Sequence, residues 1–239
     1  MGIRLDRMFF RGKGVALPKC NPGNKPCGKR CIPQDYTCGG KKGDHPATGQ
    51  TLGRVEEEIR NKPIEYVSAI DPSTGQELFR YSGDATSVDI PPREYAKLKG
   101  TILTHNHPNV GSWPDSDPRS KGFSFSPADI NAATSLQIRE VRAVSAGYNH
   151  SMVMPRNRVN VEAAVSRHSD RVYRQVVSDS LSGKIDSRSA SIEYWHRLWT
   201  AIAAETPGMT YRRTEVRRKA DSLFDLTSRA RRILRKGAR

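Results

Sequence analysis

The stretch Gly100-Thr101-Ile102-Leu103-Thr104-His105-Asn106-His107-Pro108 contains both a predicted strand and a candidate site. Its apolar first half predicts a β-strand, and two histidines follow at alternate positions. Side chains two residues apart on a strand point to the same face, so both imidazoles could reach one metal ion. A single His-x-His motif is common by chance, so its weight depends on the residues around it.

A second motif, Ser126-Pro127-Ala128-Asp129, has the composition of a helix start. Ser126 suits the N-cap, Pro127 the first helical position and Asp129 the third. Taken alone, this is an ordinary capping motif. Beside two strand histidines, however, the carboxylate would complete a set of three ligands and leave one position for water. Three protein ligands are typical of catalytic rather than structural zinc sites.

These two motifs, in this order, resemble the signature of the JAMM (MPN+) zinc metalloproteases, and the resemblance covers about residues 51–156. Both motifs are most similar to the bacterial and phage branch. The resemblance implies an α+β domain of the cytidine-deaminase-like class, with a mixed sheet and flanking helices. It implies that His105, His107 and Asp129 bind Zn²⁺, and that a zinc-activated water hydrolyses a peptide or isopeptide bond in a protein substrate.

The same resemblance assigns two catalytic residues. The family has a general base, a glutamate near the start of an earlier strand, and Glu65 fits this position. Glu77, on the predicted return strand, is the alternative. Ser126 would cap its helix and also donate a hydrogen bond to the developing oxyanion.

The segment between the two motifs, residues 109–125, is longer than is usual in the family. It is rich in turn-forming residues, which predicts a surface loop. Lengthening a loop costs little closure entropy, so the insertion is compatible with the site. Trp113 could line a substrate cleft in this loop or pack back onto the domain.

Three regions are predicted: a Cys-rich segment and linker (1–50), a JAMM-like domain (51–156) and a helical basic region (157–239). Within the domain, the sequence predicts helices at 52–61, 91–98 and 128–136, and strands at 65–70, 77–81, 86–90, 100–105, 141–146 and 148–154. The helical region carries three apolar stripes: Val161, Val165, Val172 and Val176; Ile192, Trp195, Leu198, Trp199 and Ile202; and Leu223, Phe224, Ile233 and Leu234. His168 and His196 are interpreted as ordinary helix residues, and His45 and His150 have no assigned role.

All four cysteines, Cys20, Cys27, Cys31 and Cys38, fall in the first region. This region has too few apolar residues to form a core, so it would need a covalent or metal staple. The staple could be a zinc ion bound by four thiolates, or it could be two disulfides. The cysteine spacing is not that of common zinc modules, and a reducing cytoplasm disfavours disulfides, so neither alternative is excluded.

The chain has 239 residues and a formal net charge of +15, which predicts attraction to polyanions. Many of these cations lie in the last thirty residues, so nucleic acid or an acidic protein surface is a candidate partner besides the protein or peptide substrate. No apolar run is long enough to span a bilayer and none resembles a signal peptide. We therefore expect a cytoplasmic protein of a bacterial or phage-infected cell. The alternative function is a nucleic-acid-binding or phage-assembly protein with a catalytically idle core.

Overall fold

A computed structural model describes the backbone of Asn24–Cys27 and Arg30–Pro33, and residues 44–216 in full. Contacts divide the chain into two compact units, Met1–Asp44 and His45–Arg239. In the first unit, β1 (Asn24–Cys27) and β2 (Arg30–Pro33) pair antiparallel, with Pro26 opposite Cys31. The cysteine side chains, and with them the two candidate staples, lie outside the described residues. The Arg-rich end and its Leu223–Leu234 stripe also lie outside them.

The second unit contains a six-stranded mixed sheet. Its strands are β3 (Tyr66–Ile70), β4 (Glu77–Ser82), β5 (Ile102–Asn106), β6 (Glu140–Val144), β7 (Tyr148–Val153) and β8 (Thr210–Glu215). They are ordered β4–β3–β5–β6–β7–β8, and every neighbouring pair is antiparallel except the central β5–β6 pair. The crossover between the two parallel strands consists of the long loop and one helix. The α+β class expected from the sequence is confirmed at this level.

Helices cover both faces of the sheet. They are α1 (Ala47–Ile59), α2 (Tyr95–Leu98), α3 (Pro127–Ser135), α4 (Val161–Leu181) and α5 (Ala190–Glu205), with short 3-10 turns at Pro92–Glu94, Pro118–Lys121 and Ser187–Ser189. On one face, α1 buries Val55 and Ile59 against Val144. On the other, α3, α4 and α5 share a larger apolar core with the sheet. No helix within residues 44–216 has the length and apolar content needed to cross a membrane.

Local sequence signals set several elements correctly. The β3–β4 hairpin turns where predicted, since Gly75 donates its backbone N–H to the Asp71 carbonyl and has a φ of +73° that favours glycine. Helix α3 begins at Pro127 behind Ser126, and a reciprocal capping box joins Ser126 to Asp129, as predicted.

One helix boundary and one strand in the part of the chain before the site differ from the prediction. Helix α1 begins at residue 47 rather than 52, because the hydroxyls of Thr48 and Thr51 bond to carbonyls of the β3–β4 turn. The predicted strand at 86–90 is wrong: no strand forms there. Instead the Asp84 carboxylate accepts the backbone N–H groups of Thr86 and Ser87, which satisfies locally the groups that a strand would pair with a neighbour.

The prediction that everything after Pro155 is helical is also wrong at one element. Helices α4 and α5 form as expected and bury most of their predicted stripes. The next segment, β8, instead extends the sheet beside β7. Its alternate residues Tyr211 and Arg213 are half-buried while Thr210 and Arg212 are exposed, a strand period that the basic composition obscures. α4, α5 and β8 follow residue 156, the predicted domain boundary, and they share the apolar core of the sheet.

Candidate metal centre

Strand β5 places the two histidines together. His105 lies on the strand next to its last residue, and His107 follows directly after the strand ends. Their Nε2 atoms are 2.9 Å apart, and His105 is buried while His107 is half-buried. Alternation along the strand therefore brings both rings to one point, as the sequence predicts.

Helix α3 brings the third candidate ligand to the same point. Asp129 Oδ1 lies 3.6 Å from His105 Nε2, and Asp129 Oδ2 lies 3.8 Å from His107 Nε2. The carboxylate is held by Ser126, whose backbone N–H and hydroxyl donate to Oδ2 over 2.7 and 3.0 Å. The Ser126 hydroxyl thus points at Asp129 here, and it fixes the carboxylate's orientation in addition to capping the helix.

The ring tautomer of His107 suits it to ligation. Its Nδ1 lies 3.0 Å from the carbonyl oxygen of Phe123, which cannot donate, so Nδ1 carries the proton and Nε2 keeps a lone pair. The ligand-capable atoms of His105, His107 and Asp129 all lie within 4.8 Å of one another. In a tetrahedral zinc site with bonds of ~2.0–2.1 Å, neighbouring ligand atoms are roughly 3.3 Å apart. The observed separations bracket this value, so the donor set fits a metal ion of this size, although it does not identify zinc.

The charges of the three groups reinforce one another. Burial, with a smaller contribution from the neighbouring charge of His105, lowers the pKa of His107 to about 4, and Asp129 opposes the shift. Burial alone would lower the pKa of His105, but the adjacent Asp129 carboxylate raises it above the usual value. Burial alone would raise the pKa of Asp129, yet His105 holds it well below its usual range. Asp129 is therefore ionised and His107 neutral near neutral pH, the states in which both can bind a cation.

Glu65 belongs to this site and Glu77 does not. Glu65 lines the same cavity as the three ligands, two residues before Val67, the β3 residue paired with His105. Its half-buried carboxylate has no hydrogen bond or ion pair to any residue that the structure describes. Burial is the main cause that raises the pKa of Glu65 to about 7; His105 opposes the rise and the nearby Asp129 charge contributes to it.

Glu77 lies on the other face of the sheet. A β-bulge sets it opposite Ile70, and its carboxylate accepts from Ser68 and Arg80 while pairing with Arg54 of α1. These partners hold it in an ion-pair cluster under α1. Of the two glutamates left open by the sequence, Glu65 is therefore the one that lines the same cavity as the three candidate ligands.

Asn106, between the two histidines, has a role that sequence reasoning missed. Its fully buried side chain accepts the backbone N–H of Tyr66 over 2.7 Å and donates to the carbonyl of Ile64 over 3.0 Å. These bonds grip the chain on both sides of Glu65. Strand alternation turns Asn106 away from the two histidines, and a buried amide needs hydrogen-bond partners. The position of an asparagine between two strand histidines was therefore the signal in the sequence for this role.

The site opens into two adjoining cavities of about 330 and 250 Å³. Both are lined by Glu65, Thr86, His107 and Ser126. Away from these residues the larger cavity is lined mainly by aliphatic side chains, such as Val67, Val88 and Leu103, and the smaller one by Val110, Phe123 and Trp195. The segment wrongly predicted as a strand, residues 86–90, forms one wall of the larger cavity.

Elements beyond residue 156 hold the loop that leads into α3. Buried Trp199 of α5 donates its indole N–H to the carbonyl of Phe125 over 2.8 Å. Tyr211 of β8 bonds to the Ser124 hydroxyl over 2.9 Å. Since Phe123 in the same run bonds to His107, the C-terminal elements help fix the position of the site.

Trp113 packs back onto its own loop. Its ring lies 5.9 Å from that of Phe123, and the Arg119 guanidinium lies 5.0 Å above it. Of the two roles left open by the sequence, packing is the one observed.

The other histidines lie elsewhere. His168 pairs with Glu205 and His196 bonds to Tyr211, as ordinary helix residues do. His150, on β7, also bonds to Tyr211 and is almost fully buried. His45 accepts the backbone N–H of Ala47 near the start of α1. Within the described residues, the only group of three or more His, Cys, Asp or Glu side chains placed to share a metal is His105, His107 and Asp129.

Comparison of the chain with models of protein families, with curated proteins and with solved structures finds no match.

Proposed function

We propose that the protein is a zinc-dependent metallopeptidase or isopeptidase of the JAMM type, from a bacterial or phage-infected cell and working in its cytoplasm. The observation that carries the proposal is the convergence of two imidazoles and a carboxylate in one cavity wall with a glutamate that pairs with no residue the structure describes. An ordinary structural core would have no need to hold Glu65, half-buried and with its pKa raised, beside an ionised Asp129.

His105, His107 and Asp129 would hold the metal. When bound, zinc supplies Lewis-acid chemistry, polarising a carbonyl oxygen and lowering the pKa of water. Three protein donors leave room for solvent or substrate, as catalytic zinc sites require. The Phe123 carbonyl and the Ser126 hydroxyl orient His107 and Asp129 from behind, which keeps the donor atoms aimed at one point.

Glu65 would move the proton. Its carboxylate takes a proton from the attacking water and returns it to the nitrogen of the departing amine. A carboxylate whose pKa is raised to about 7 by burial can do both near neutral pH. Asn106 fixes the backbone on either side of Glu65 and so holds the segment that carries this base.

Ser126 would stabilise charge in the transition state. Its hydroxyl lines both cavities, next to His107, and rotation about its side chain would turn the proton from Asp129 to a developing oxyanion. The backbone N–H of Ser126 would go on holding Asp129 meanwhile.

The cavity walls indicate the kind of substrate. Aliphatic side chains line one side of the site and Val110, Phe123 and Trp195 line the other. Apolar walls cannot compensate a buried charge, so we expect apolar rather than charged substrate residues next to the scissile bond.

Paired glutamate variants test the proposal. Glu65→Gln should retain zinc but lose hydrolysis of a fluorogenic peptide library by roughly 10²- to 10⁴-fold, because the general base is gone. Glu77→Gln is the matched control: it removes the same charge from the opposite face and should leave hydrolysis near the wild-type rate. Zinc is quantified by elemental analysis of both proteins.

Two results would contradict the proposal. Equal hydrolysis by wild type and Glu65→Gln would remove the assigned base. Iron in place of zinc in the purified protein would redirect the assignment, since two histidines and one carboxylate also serve non-haem iron oxygenases.

A further inference from the structure

A separate cleft, of about 370 Å³, lies outside the metal centre. It is at the C-terminal end of α3, away from the Asp129 end of the same helix. It is bounded by the turn before β5, the residues that follow α3 and the segment after β7. Four cationic side chains contribute to its walls: Lys99, Arg139, Arg156 and Arg158. Among the described residues, no Asp or Glu lines it, so its potential is positive.

Three of these cations are not neutralised by the fold. Lys99, Arg156 and Arg158 are exposed and form no ion pair with any residue in the described part of the chain. Several other arginines of this unit are paired, for example Arg80 with Glu77, Arg142 with Glu56 and Arg197 with Asp179. Three unpaired charges therefore share one concave surface, which focuses the field on a bound anion.

The chemistry of the walls selects among anions. Guanidinium groups present forked N–H donors that match phosphate oxygens. The described walls contain no aromatic side chain on which a base could stack. Recognition would thus be of phosphate groups and not of bases, which favours a polymer backbone over a nucleotide.

We propose that this cleft binds the phosphate backbone of a nucleic-acid strand, independently of its sequence. The site is separate from the metal centre and does not depend on the peptidase activity proposed above. It also differs from the Arg-rich C-terminal end, since its lining residues lie between Lys99 and Arg158.

The test measures binding of a labelled single-stranded oligothymidylate to the full-length protein by fluorescence anisotropy over a range of salt concentrations. The double variant Arg156→Gln/Arg158→Gln removes two phosphate contacts. Each contact contributes about 0.7 to the slope of log affinity against log salt for a single strand. The slope should therefore become shallower by about 1.4, and affinity near 0.15 M salt should fall about tenfold.

The matched control is Arg167→Gln/Arg174→Gln. These two arginines are also exposed and unpaired among the described residues, but they lie on α4 outside the cleft. The control changes the net charge by the same amount, and residues 217–239 are identical in all three proteins. It should leave the slope within error of wild type.

Several outcomes would overturn the proposal. These are equal weakening by the two double variants, an unchanged slope in the cleft variant, or no binding by the wild type. Inorganic phosphate that competes at micromolar concentration would assign the cleft to a free phosphate instead. If the cleft variant lost binding to phosphatidylserine vesicles but kept binding to the oligonucleotide, the cleft would be assigned to a membrane surface. Thermal unfolding of each variant checks that it is folded.

Discussion

Two pairs of histidines lie within this unit, and only one of them has the properties of a ligand site. His105 and His107 bring their Nε2 atoms to 2.9 Å, with the Asp129 carboxylate beside them and a cavity in front. His150 and His196 instead direct their Nδ1 atoms at the Tyr211 hydroxyl, over 3.0 and 3.3 Å.

The electrostatic surroundings of the pairs differ in the same sense. Burial is the main cause that lowers the pKa of His150 to about 3 and that of His196 to about 4, and the nearby cation Arg213 contributes to both shifts. No carboxylate in the described part of the chain bonds to either ring. A cation would be repelled there, whereas Asp129 attracts one to the first pair. Proximity of imidazoles is thus insufficient: a shared anionic partner and an open cavity distinguish a candidate metal centre from a buried polar cluster.

The largest expected difference between the pairs is in metal binding. Asp129→Asn keeps a side chain that can cap α3 but removes the charge and one ligand. Metal affinity should fall by more than the roughly 10- to 100-fold typical of outer partners, while unfolding free energy falls by no more than about 1 kcal/mol. Zinc titration and urea denaturation measure the two. His196→Gln, in the other pair, is the control and should bind zinc as wild type does. Equal zinc binding by all three proteins would erase the distinction between the pairs.

A smaller effect is expected behind the first pair, at Asn106. In Asn106→Ser the serine side chain is too short to reach the backbone of Tyr66 and Ile64, so the hydrogen bonds that hold the backbone on both sides of Glu65 are lost. Because a misplacement of about 1 Å can cost up to about 100-fold, the turnover rate should fall roughly 10- to 100-fold. Zinc content should stay unchanged at a temperature where the variant is folded. A lost metal with normal turnover per bound zinc would show that Asn106 acts on the ligands and not on the base.

The smallest effect is expected in the second pair. Tyr211→Phe removes the hydroxyl shared by Ser124, His150 and His196 and leaves buried polar atoms without a partner. The unfolding free energy should fall by about 1–3 kcal/mol. Zinc affinity should change little, because Tyr211 contacts no ligand. A large loss of zinc affinity would mean that the two pairs are coupled through the Ser124 segment.

Local sequence signals made the first pair of histidines, with its carboxylate, predictable from the sequence. Strand alternation gives the positions of His105 and His107, and cap chemistry gives Asp129 at the start of α3; both act over a few residues. The second pair could not be predicted. His150, His196 and Tyr211 come from β7, α5 and β8, and β8 carries charges that obscure its strand period.

The same division applies to the site's other residues. Glu65 and Glu77 both sit at strand starts, and only the bulge opposite Ile70 and the ion pairs of Glu77 with Arg54 and Arg80 separate them. Such contacts join residues distant in sequence. The segment 86–90 was mistaken for a strand because its apolar alternation outweighed, in the sequence, the turn chemistry of Asp84.

Anomalous diffraction at the zinc edge, on crystals grown with zinc, tests the central claim most directly. We predict one strong peak, with bonds of ~2.0–2.2 Å to Nε2 of both His105 and His107 and to Oδ1 of Asp129. No peak should appear beside His150 and His196. A density map without a peak between the first pair, and with Asp129 turned away from both rings, would contradict it.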